Sequence, residues 1–580
     1  MKGVDFIVEY LKRHEKVSHV FTYAGGTNAW LLDALHRAQG ISYLPMRHEQ
    51  NAAFAAEGYA RASGLLGVAL TMSGPGATNL ITGIADAFFD SIPVLFLTGQ
   101  VTTTTYKFHK PVRQLGYQET DIVSIAKSIT KSAMMAESEK EMTMMLRKSI
   151  SIAKANRPGP VLLDIPTDIQ RREVDPQELT IKPVVSNNPC ASADEVDQVF
   201  HLIKNSRRPV VLVGGGVRAA ESCQLLLEFI NRFKIPVVVS LRGKDAFPHD
   251  HPLFAGFIGS YGNRYANLTL VNSDLVIALG SRLDSRQTAD PKTFAREAKK
   301  IHVDIDFNEL NNTVIVDLAI HSHLKSFFKL ILLKDCTKSS FQRQEWLKYI
   351  QEVKKVFAVD GIGETQKVDP KAFLRTLSRA AVGNEIFLAD VGNHQMWTAQ
   401  ELSLRGDQRF LTSSGLGTMG FSIPAGIGAY CACPDRNIVS IVGDGGFQMS
   451  IPEIETIVRN KIPLKIIVFN NNILGLMWHF QNENFTGGHP ATEDKYSCPD
   501  VQKVACAYGL SSKRLENNSE VKEGIQWLLS SDGPALLEVA VHPSWAAYPK
   551  VKPGNPLEGQ LPEVDKNLLA QYMLIGKYKD

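Results

Sequence analysis

The sequence contains no apolar run near the roughly 18 residues that a membrane-spanning helix needs. Cysteine is scarce: the seven cysteines are scattered, never spaced Cys-x-x-Cys, and are expected to be free thiols in a reducing compartment. Neither charge dominates, since the 63 Lys and Arg are nearly balanced by 60 Asp and Glu. This balance argues against a nucleic-acid or membrane-surface partner. Residues 1–10 mix charges into an apolar pattern, which is typical of an amphipathic helix rather than a signal peptide. We therefore expect a cytoplasmic protein that acts on small molecules.

What the chain does have is length. With 580 residues, of which 44% are hydrophobic, it is too long for one core and should form about three domains. Strand-length apolar runs alternate with helical patterns, which predicts α/β domains with doubly wound parallel sheets. The expected domains are residues 1–175, 194–335 and 365–545, followed by a tail, 546–580. Residues 177–193 and the charged stretch 337–369 are expected to be linkers.

The most informative stretch is residues 438–447, which is echoed by residues 466–472. Each begins with a β-branched apolar run and ends abruptly in small or amide residues. Between them, residues 452–460 carry apolar side chains at helical spacing. This pattern predicts a βαβ crossover with polar groups at both strand ends.

The polar groups at these strand ends suit a metal ion. Because neighbouring parallel strands end at one crevice, Asp444 and Asn471 are expected to converge there. Carboxylate and amide oxygens suit Mg²⁺, and Gly443, Gly445 and Gly446 let a diphosphate approach the backbone. A lone Gly-Asp-Gly also occurs in ordinary turns, so this pattern alone leaves both interpretations open.

The spacing of the two motifs adds a resemblance. Twenty-four residues separate Gly445 from Asn470, and the stretch resembles the cofactor motif of thiamine diphosphate (ThDP) enzymes. The resemblance implies that Asp444, Asn471 and the backbone carbonyl of Ile473 bind Mg²⁺.

Glu49 lies where a strand meets an alanine-rich helix, so it could simply cap the helix. However, residues 47–61 and 71–87 resemble segments of acetohydroxyacid (acetolactate) synthases. That resemblance implies that Glu49 lies beside the aminopyrimidine ring of ThDP and helps remove the C2 proton. Residues 71–87 also fit a plain scaffold, in which Thr78 or Asn79 caps a helix after a turn.

Two further residues of the first domain are active-site candidates. Gly26 lies in a glycine turn after a strand, and Gln118 lies in a segment resembling the Phe-Gln-Glu-Thr of the synthases. Near them the chain departs from the family. Fifteen residues separate Val101 from Tyr117, whereas we expect fewer in the synthases. Thr167 lies where the synthases usually have Lys.

The third domain contains more candidate cofactor contacts. Residues 386–397 resemble the segment that binds the diphosphate, which implies contacts from Gly392, Asn393 and His394. Gly417 and Met419 lie in residues 413–421, and Met419 matches the bulky residue that bends ThDP into a V. A histidine or methionine at such positions is also commonly a core residue.

The middle domain contains a possible dinucleotide site. A strand runs into Gly214, Gly215 and Gly216, and Arg282 and Asp306 follow later strands. These segments resemble the FAD-binding segments of the synthases; the alternative is a ligand-free spacer. Arg286 matches the arginine that holds the carboxylate of a second 2-oxo acid, or it forms a surface ion pair.

The acceptor region differs from the usual synthase pattern. Phe480 aligns with a tryptophan typical of synthases that discriminate 2-oxobutyrate from pyruvate. The tail around residues 549–559 is more similar to synthase-like enzymes of unusual-sugar pathways. Both departures suggest an altered acceptor pocket.

Together these features predict a ThDP- and Mg²⁺-dependent carboligase, with FAD as a further cofactor. It would decarboxylate pyruvate and transfer the two-carbon unit to an acceptor carbonyl, as acetolactate synthases do. The resemblance implies a homodimer or tetramer in which ThDP lies between two subunits. The alternatives are transfer to a nucleotide-linked keto sugar, a pyruvate oxidase or decarboxylase, and a non-catalytic cofactor-binding scaffold.

Overall fold

Three six-stranded sheets dominate the computed structural model, which describes residues 1–108, 110–181, 188–335, 343–358 and 366–576. The strands in all three sheets are parallel. Buried apolar clusters cover both faces of each sheet, as a doubly wound fold requires. The predicted fold class is therefore confirmed. The six described cysteines are free; Cys336 lies outside the described residues.

The first sheet has the strand order β2-β1-β3-β4-β6-β5. Its strands are β1 (His19–Thr22), β2 (Ser42–Pro45), β3 (Gly67–Thr71), β4 (Val94–Gln100), β5 (Ser132–Met135) and β6 (Val161–Pro166). Its helices are α1 (Gly3–Glu15), α2 (Ala29–Arg37), α3 (Glu49–Ser63), α4 (Pro75–Asn79), α5 (Ile81–Phe89), α6 (Ile122–Ala126), α7 (Glu139–Lys154) and α8 (Thr167–Gln170). The predicted amphipathic first helix is thus confirmed as α1.

The second sheet has the order β12-β11-β10-β7-β8-β9. Its strands are β7 (Pro209–Val213), β8 (Val237–Val239), β9 (Phe254–Phe257), β10 (Leu275–Leu279), β11 (Lys299–Asp304) and β12 (Leu318–His321). The helices here are α9 (Ala193–Asn205), α10 (Gly216–Ala219), α11 (Cys223–Phe233), α12 (Arg264–Val271), α13 (Ser285–Thr288), α14 (Leu324–Ile331) and α15 (Gln344–Val356).

The third sheet has the order β14-β13-β15-β16-β18-β17. Its strands are β13 (Ile386–Ala389), β14 (Arg409–Thr412), β15 (Ile438–Gly443), β16 (Lys465–Asn470), β17 (Ser511–Leu515) and β18 (Ala535–Ala540). Its helices are α16 (Pro370–Ala380), α17 (Asn393–Glu401), α18 (Ser422–Ala432), α19 (Asp444–Ser450), α20 (Glu453–Arg459), α21 (Gly475–Asn484), α22 (Val501–Ala507) and α23 (Val521–Ser530). The tail adds β19 (Lys550–Val551), β20 (Gln560–Leu561) and α24 (Lys566–Gln571).

Each sheet has a topological switch point, where the chain changes the direction in which it adds strands. The switch lies between β1 and β3 in the first sheet, β7 and β10 in the second, and β13 and β15 in the third. Ligands of open parallel sheets bind in the crevice beyond the carboxyl ends of such strands. The crossover predicted around Asp444 is β15, α19, α20 and β16, so the strands are confirmed. The predicted single helix is instead two, the first starting at Asp444 itself.

The first and third domains pack directly against each other through α3 and α18. A Cβ on Gly58 would lie 2.0 Å from the carbonyl oxygen of Ala425, and one on Gly428 would lie 1.8 Å from that of Ala55. The two backbones are therefore in contact, and one apolar cluster continues from the first sheet into the third. Buried Asp90 joins this junction to the second domain, since it accepts hydrogen bonds from Arg242 and Ser414.

The segment expected to be a charged linker, residues 337–369, contains α15. Trp346 on this helix is buried and donates from Nε1 to the Pro209 carbonyl (3.1 Å), so the linker prediction is wrong there. Residues 336–342, 359–365 and, in the other expected linker, 182–187 lie outside the described residues. The tail also packs on the second domain, where buried Arg264 donates to the carbonyl of Pro562 (2.6 Å).

Candidate active site

Glu49 is the first residue of α3 and is only 7% exposed. Its Oε2 accepts a hydrogen bond from Asn79 Nδ2 (2.9 Å), and its Oε1 lies against Gly76. The helix cap is His48, whose Nδ1 accepts from the backbone N–H of Gln50 (3.2 Å). The interpretation of Glu49 as a helix cap is therefore wrong, and its carboxylate is available to a ligand. The expected cap at Thr78 or Asn79 is also wrong, because α4 begins at Pro75 with no side-chain cap.

Gln118 lies beside the same turn. Its Cβ is 3.0 Å from where a Cβ on Gly74 would be, which brings it near the residues that flank Glu49. The backbone of Gln118 is in the left-handed region (φ 63°), a conformation that costs energy for a residue with a side chain. Buried Glu119 fixes it: its carboxylate accepts from the backbone N–H groups of Lys107, Leu115 and Gly116.

The space beside Gly26 is open, because a Cβ there would meet no atom within 4 Å. Thr27 donates from Oγ1 to the carbonyl of Gly99 (3.1 Å), and the backbone N–H of Ser73 donates to Thr27 Oγ1 (2.9 Å). The structure thus gathers Gly26, Glu49 and Gln118 around the carboxyl ends of β1, β3 and β4. We name Gly26, Glu49, Asn79 and Gln118 the first-domain group.

In the third domain, Asp390 holds two cofactor-candidate segments together. Its carboxylate accepts from the backbone N–H groups of Val391 (2.9 Å), Gly420 (2.9 Å) and Ser422 (2.8 Å). Gly446 approaches Asp390 so closely that a Cβ would lie 2.7 Å from its Oδ1. This places the segments that follow β13, β14 and β15 at one crevice.

His394 and Asn393 place polar side-chain atoms in the interior of the third domain. The His394 ring lies between Gly392 and Gly443, where an added Cβ would come within 2.6 Å and 2.8 Å of its Cε1. Burial lowers the pKa of His394 to about 3, so the ring is neutral at physiological pH. Among the described residues, no hydrogen-bond partner is found for His394 Nε2 or Asn393 Oδ1, although both atoms are buried.

Asp444 begins α19 at the end of β15 and is 3% exposed. Burial raises the pKa of Asp444 to about 7, which a bound cation would reverse. Asn471 follows the neighbouring strand β16, and its Oδ1 accepts from the backbone N–H of Ile473 (3.3 Å). The side chains of Asn471 and Asn393 both flank Gly475, at 2.8 Å and 2.7 Å from where its Cβ would be.

Met419 lies over the glycine turn at Asp444. Its Cε is 3.1 Å from where a Cβ on Gly445 would be, and Leu474 approaches the same point at 2.6 Å. Gly417 has left-handed backbone (φ 76°) and open space beside it, so a larger residue there would be strained. We name Gly392, Asn393, His394, Met419, Asp444, Asn471 and Ile473 the third-domain group.

The third-domain group fits Mg²⁺ and a diphosphate. It offers amide oxygens and a buried carboxylate, Asp444, which makes no ion pair among the described residues, and the space beside the nearby Gly417 is open. The unpartnered Asn393 Oδ1 and His394 Nε2 are what such a site leaves for a ligand to satisfy. Among the described residues, no hydrogen bond or ion pair joins this group to the first-domain group.

The two acceptor candidates both lie at accessible positions. Phe480 is on α21 and 43% exposed, and its ring meets that of Phe485 (5.9 Å between centroids). Arg286, in α13, lies over the Tyr261 ring at 5.7 Å. No ion pair of Arg286 is found among the described residues, so the alternative of a surface ion pair has no support there. The longer loop is anchored near α8, where Thr103 donates from its backbone and its hydroxyl to Asp168.

A cavity of about 650 Å³ lies at the switch point of the second sheet. Gly215, Gly216, Arg282 and Arg286 line it. Gly214 instead packs against Gly280, because a Cβ there would lie 2.0 Å from that carbonyl oxygen.

Asp306, the expected acidic contact of this cavity, pairs with Arg157 of the first domain (3.1 Å). The neighbouring carboxylate that lines the cavity is Asp304. Asp306 stays a prediction as a dinucleotide contact; Asp304, the last residue of β11, lies two residues before it.

Comparison with known proteins agrees with this geometry. Models described as thiamine pyrophosphate enzyme N-terminal TPP binding domain, central domain and C-terminal TPP binding domain match residues 1–125, 196–331 and 390–539. A probable acetolactate synthase large subunit from Methanocaldococcus jannaschii is 37% identical over 572 residues, covering 96% of this chain and 94% of the relative. The chain belongs to the acetolactate synthase family of thiamine pyrophosphate enzymes.

Other members of the acetolactate synthase family match over the same extent. The acetolactate synthase isozyme 2 large subunit of Escherichia coli is 35% identical over 557 residues, covering 96% of this chain and 98% of the relative. The large subunit from Lactococcus lactis is 34% identical over 556 residues, with 95% and 94% covered. As a family member with all three domains, the chain is a ThDP-dependent enzyme.

The sequence did not reveal three polar residues of this synthase-family site. Asp390 and Glu119 bind backbone N–H groups, and Tyr496 donates to Asp444 Oδ2 (2.9 Å). Asp390 had a usable signal, since it follows a buried strand, as Asp444 does. Within the described ranges, no helix is both long enough and apolar enough to cross a membrane.

Proposed function

We propose that this chain is the catalytic chain of a ThDP- and Mg²⁺-dependent carboligase. It would decarboxylate pyruvate and join the two-carbon unit to an acceptor carbonyl, with a second pyruvate giving acetolactate. The observation that carries the proposal is the third-domain group: a buried carboxylate and two buried polar atoms without a hydrogen-bond partner among the described residues, at the switch point of its sheet. We place the protein in the cytoplasm, as the sequence predicts.

The proposed roles follow from the chemistry of each side chain. Asp444, Asn471 and the Ile473 carbonyl would hold Mg²⁺, which would supply positive charge for the diphosphate. Met419 would support the bent cofactor, and Glu49 would exchange a proton with the aminopyrimidine ring. When bound, ThDP supplies an electron sink, which accepts the electron pair that remains when CO₂ leaves the 2-oxo acid. Gln118 and Arg286 would orient the acceptor. The Arg286 guanidinium would bind the carboxylate of the acceptor.

The separation of the first-domain group from the third-domain group within one chain supports a homodimer as the smallest active unit. Glu49 contacts Asn79 and Gly76 of its own domain, whereas Asp444 contacts Tyr496 of the third domain. We propose that the first-domain group of one subunit faces the third-domain group of another. Two such sites would then form in each dimer.

Product analysis tests the proposal directly. Labelled pyruvate is incubated with the protein, ThDP and Mg²⁺, and the products are identified by mass spectrometry. Acetolactate and CO₂ are expected. Acetaldehyde alone would indicate a decarboxylase, and oxygen- or quinone-dependent acetate formation would indicate an oxidase. Absence of turnover with ThDP bound would overturn the proposed reaction.

A nucleotide-linked keto sugar remains a second candidate acceptor. The observation that favours it is the surface near the pocket: Phe480 is exposed and smaller than tryptophan, and Tyr117 in the longer loop is 85% exposed. Adding such a sugar to the labelled-pyruvate assay separates the two candidates. A branched sugar product formed in preference to acetolactate would replace the first proposal.

Phe480→Trp is expected to change acceptor selection. A larger ring offers more apolar contact to the extra methylene of 2-oxobutyrate, so the product ratio between 2-oxobutyrate and pyruvate as acceptors should shift about 10-fold, toward 2-oxobutyrate. The measurement is competition between the two acids with product quantification. Phe307→Trp, at an exposed phenylalanine of the second domain, serves as the control. An unchanged ratio would place Phe480 outside the acceptor pocket.

We also propose that the cavity of about 650 Å³ binds FAD, with Gly215, Gly216 and Arg282 at the diphosphate. Purified protein should then carry flavin absorbance. Arg282→Ala should weaken FAD binding about 10-fold or more, since a hydrogen bond to a charged group contributes roughly 1.5–3 kcal/mol. Arg207→Ala, an exposed arginine before β7, is the control. If both variants bind FAD like the wild type, Arg282 does not contact it.

A further inference from the structure

Tyr496 makes a side-chain hydrogen bond to the candidate metal ligand Asp444. Its hydroxyl lies 2.9 Å from Asp444 Oδ2, and its Oη is also 3.5 Å from where a Cβ on Gly445 would be. The contact bridges 52 residues of sequence and joins an irregular segment after α21 to the start of α19. Only half-buried, Tyr496 is not held there by core packing alone.

The direction of this hydrogen bond is fixed by a second residue. Gln448 lies one turn after Asp444 on α19, so both side chains are on one face of the helix. Gln448 Nε2 donates to Tyr496 Oη (3.3 Å) and to the Ser497 carbonyl (3.2 Å). Because the amide nitrogen can only donate, the hydroxyl accepts from Gln448 and gives its own proton to Asp444.

The segment that carries Tyr496 is itself attached to α21. The backbone N–H of Leu474 donates to the Thr492 carbonyl (2.9 Å), and Trp478 Nε1 donates to Glu493 (2.7 Å). The ring of His489 stacks on that of Trp478 at 4.3 Å. These contacts with α21 therefore hold the segment from which Tyr496 reaches Asp444.

We propose that Tyr496 is a positioning residue for Asp444. Its hydrogen bond turns the Asp444 carboxylate so that Oδ1 faces the cation. The inference rests on the proposed function, in which Asp444 binds Mg²⁺. Hydrogen bonds to metal-ligating carboxylates fix their orientation, and losing one typically weakens metal binding about 10- to 100-fold.

The test is metal binding by Tyr496→Phe, which removes the hydroxyl and keeps the ring. Mn²⁺ is titrated into the full-length protein with ThDP present, and free Mn²⁺ is measured by electron paramagnetic resonance. A dissociation constant about 10- to 100-fold higher than that of the wild type is expected. In turnover assays the half-saturating Mg²⁺ concentration should rise similarly, while kcat at saturating Mg²⁺ stays near that of the wild type.

Two further variants separate orientation from general damage. Tyr349→Phe removes a hydroxyl that donates to the Tyr572 carbonyl in the second domain, and it should bind Mn²⁺ like the wild type. Gln448→Met removes the donor behind Tyr496 and should weaken Mn²⁺ binding less than Tyr496→Phe does. Thermal unfolding without metal should be similar for all variants.

The outcomes are distinguishable. Unchanged Mn²⁺ affinity in Tyr496→Phe would overturn the inference, and so would tighter binding, which would mean that the hydroxyl competes with the cation. A wild type that binds neither Mn²⁺ nor ThDP would instead overturn the proposed function.

Discussion

Glu49→Gln is expected to lower turnover about 10²- to 10⁴-fold, the usual contribution of a positioned general acid or base. Glutamine has nearly the same size, and its carbonyl oxygen can still accept the hydrogen bond from Asn79 (2.9 Å in the wild type). What it cannot do is take up and release a proton. The loss should therefore appear in kcat, with the melting temperature little changed.

A matched control for this variant is Glu139→Gln. Glu139 is also the first residue of a helix in the first domain, but it lies at the surface and pairs with Arg172 (3.2 Å). Its replacement should leave turnover at the wild-type level. Hydrogen–deuterium exchange at C2 of bound ThDP, followed by NMR, should slow in Glu49→Gln alone. Full turnover by Glu49→Gln would show that the proton is exchanged elsewhere.

Asp444→Asn is expected to weaken Mg²⁺ binding in the presence of ThDP about 100-fold or more. A charged ligand to a metal contributes several kcal/mol, and each ~1.4 kcal/mol is tenfold in affinity. Asparagine keeps the size of the side chain and can still accept from Tyr496. Calorimetric titration of Mg²⁺ is the measurement, with Asp435→Asn, at the exposed other end of β15, as control. Equal affinity in both variants would remove Asp444 from the metal site.

The pH dependence of the metal-free protein provides an independent check on Asp444. Burial raises the pKa of this carboxyl to about 7 from its ordinary value of 3.8, so the folded state favours the protonated form. The wild type should lose stability as pH rises from about 4 toward 7, and Asp444→Asn should lack this contribution. Without metal at pH 8, the variant is therefore expected to unfold at no lower a temperature than the wild type.

The strand ends of the site were predictable because they follow from local patterns. A β-branched run that stops at small polar residues marks the carboxyl end of a buried strand, and this located Asp444, Asn471 and Gly392. The sheet topology then brings those ends together. The helix start at Asp444 was missed, because two glycines in its first turn disfavour a helix that tertiary contacts nevertheless form.

Residues on irregular segments were not predictable in the same way. Tyr496 reaches Asp444 from a segment with no repeating pattern, and Glu119 binds backbone groups whose positions depend on the whole loop. By contrast, α15 did carry a signal: Trp346, Ile350 and Val353 are buried at helical spacing. Its many charges concealed this amphipathic face.

The glycine contacts between α3 and α18 also bear on how this enzyme can be recombined with its relatives. Since the backbones touch at Gly58 and Gly428, a first domain taken from another protein would meet a third domain shaped for a different partner. Chimeras should therefore keep these two domains from the same parent.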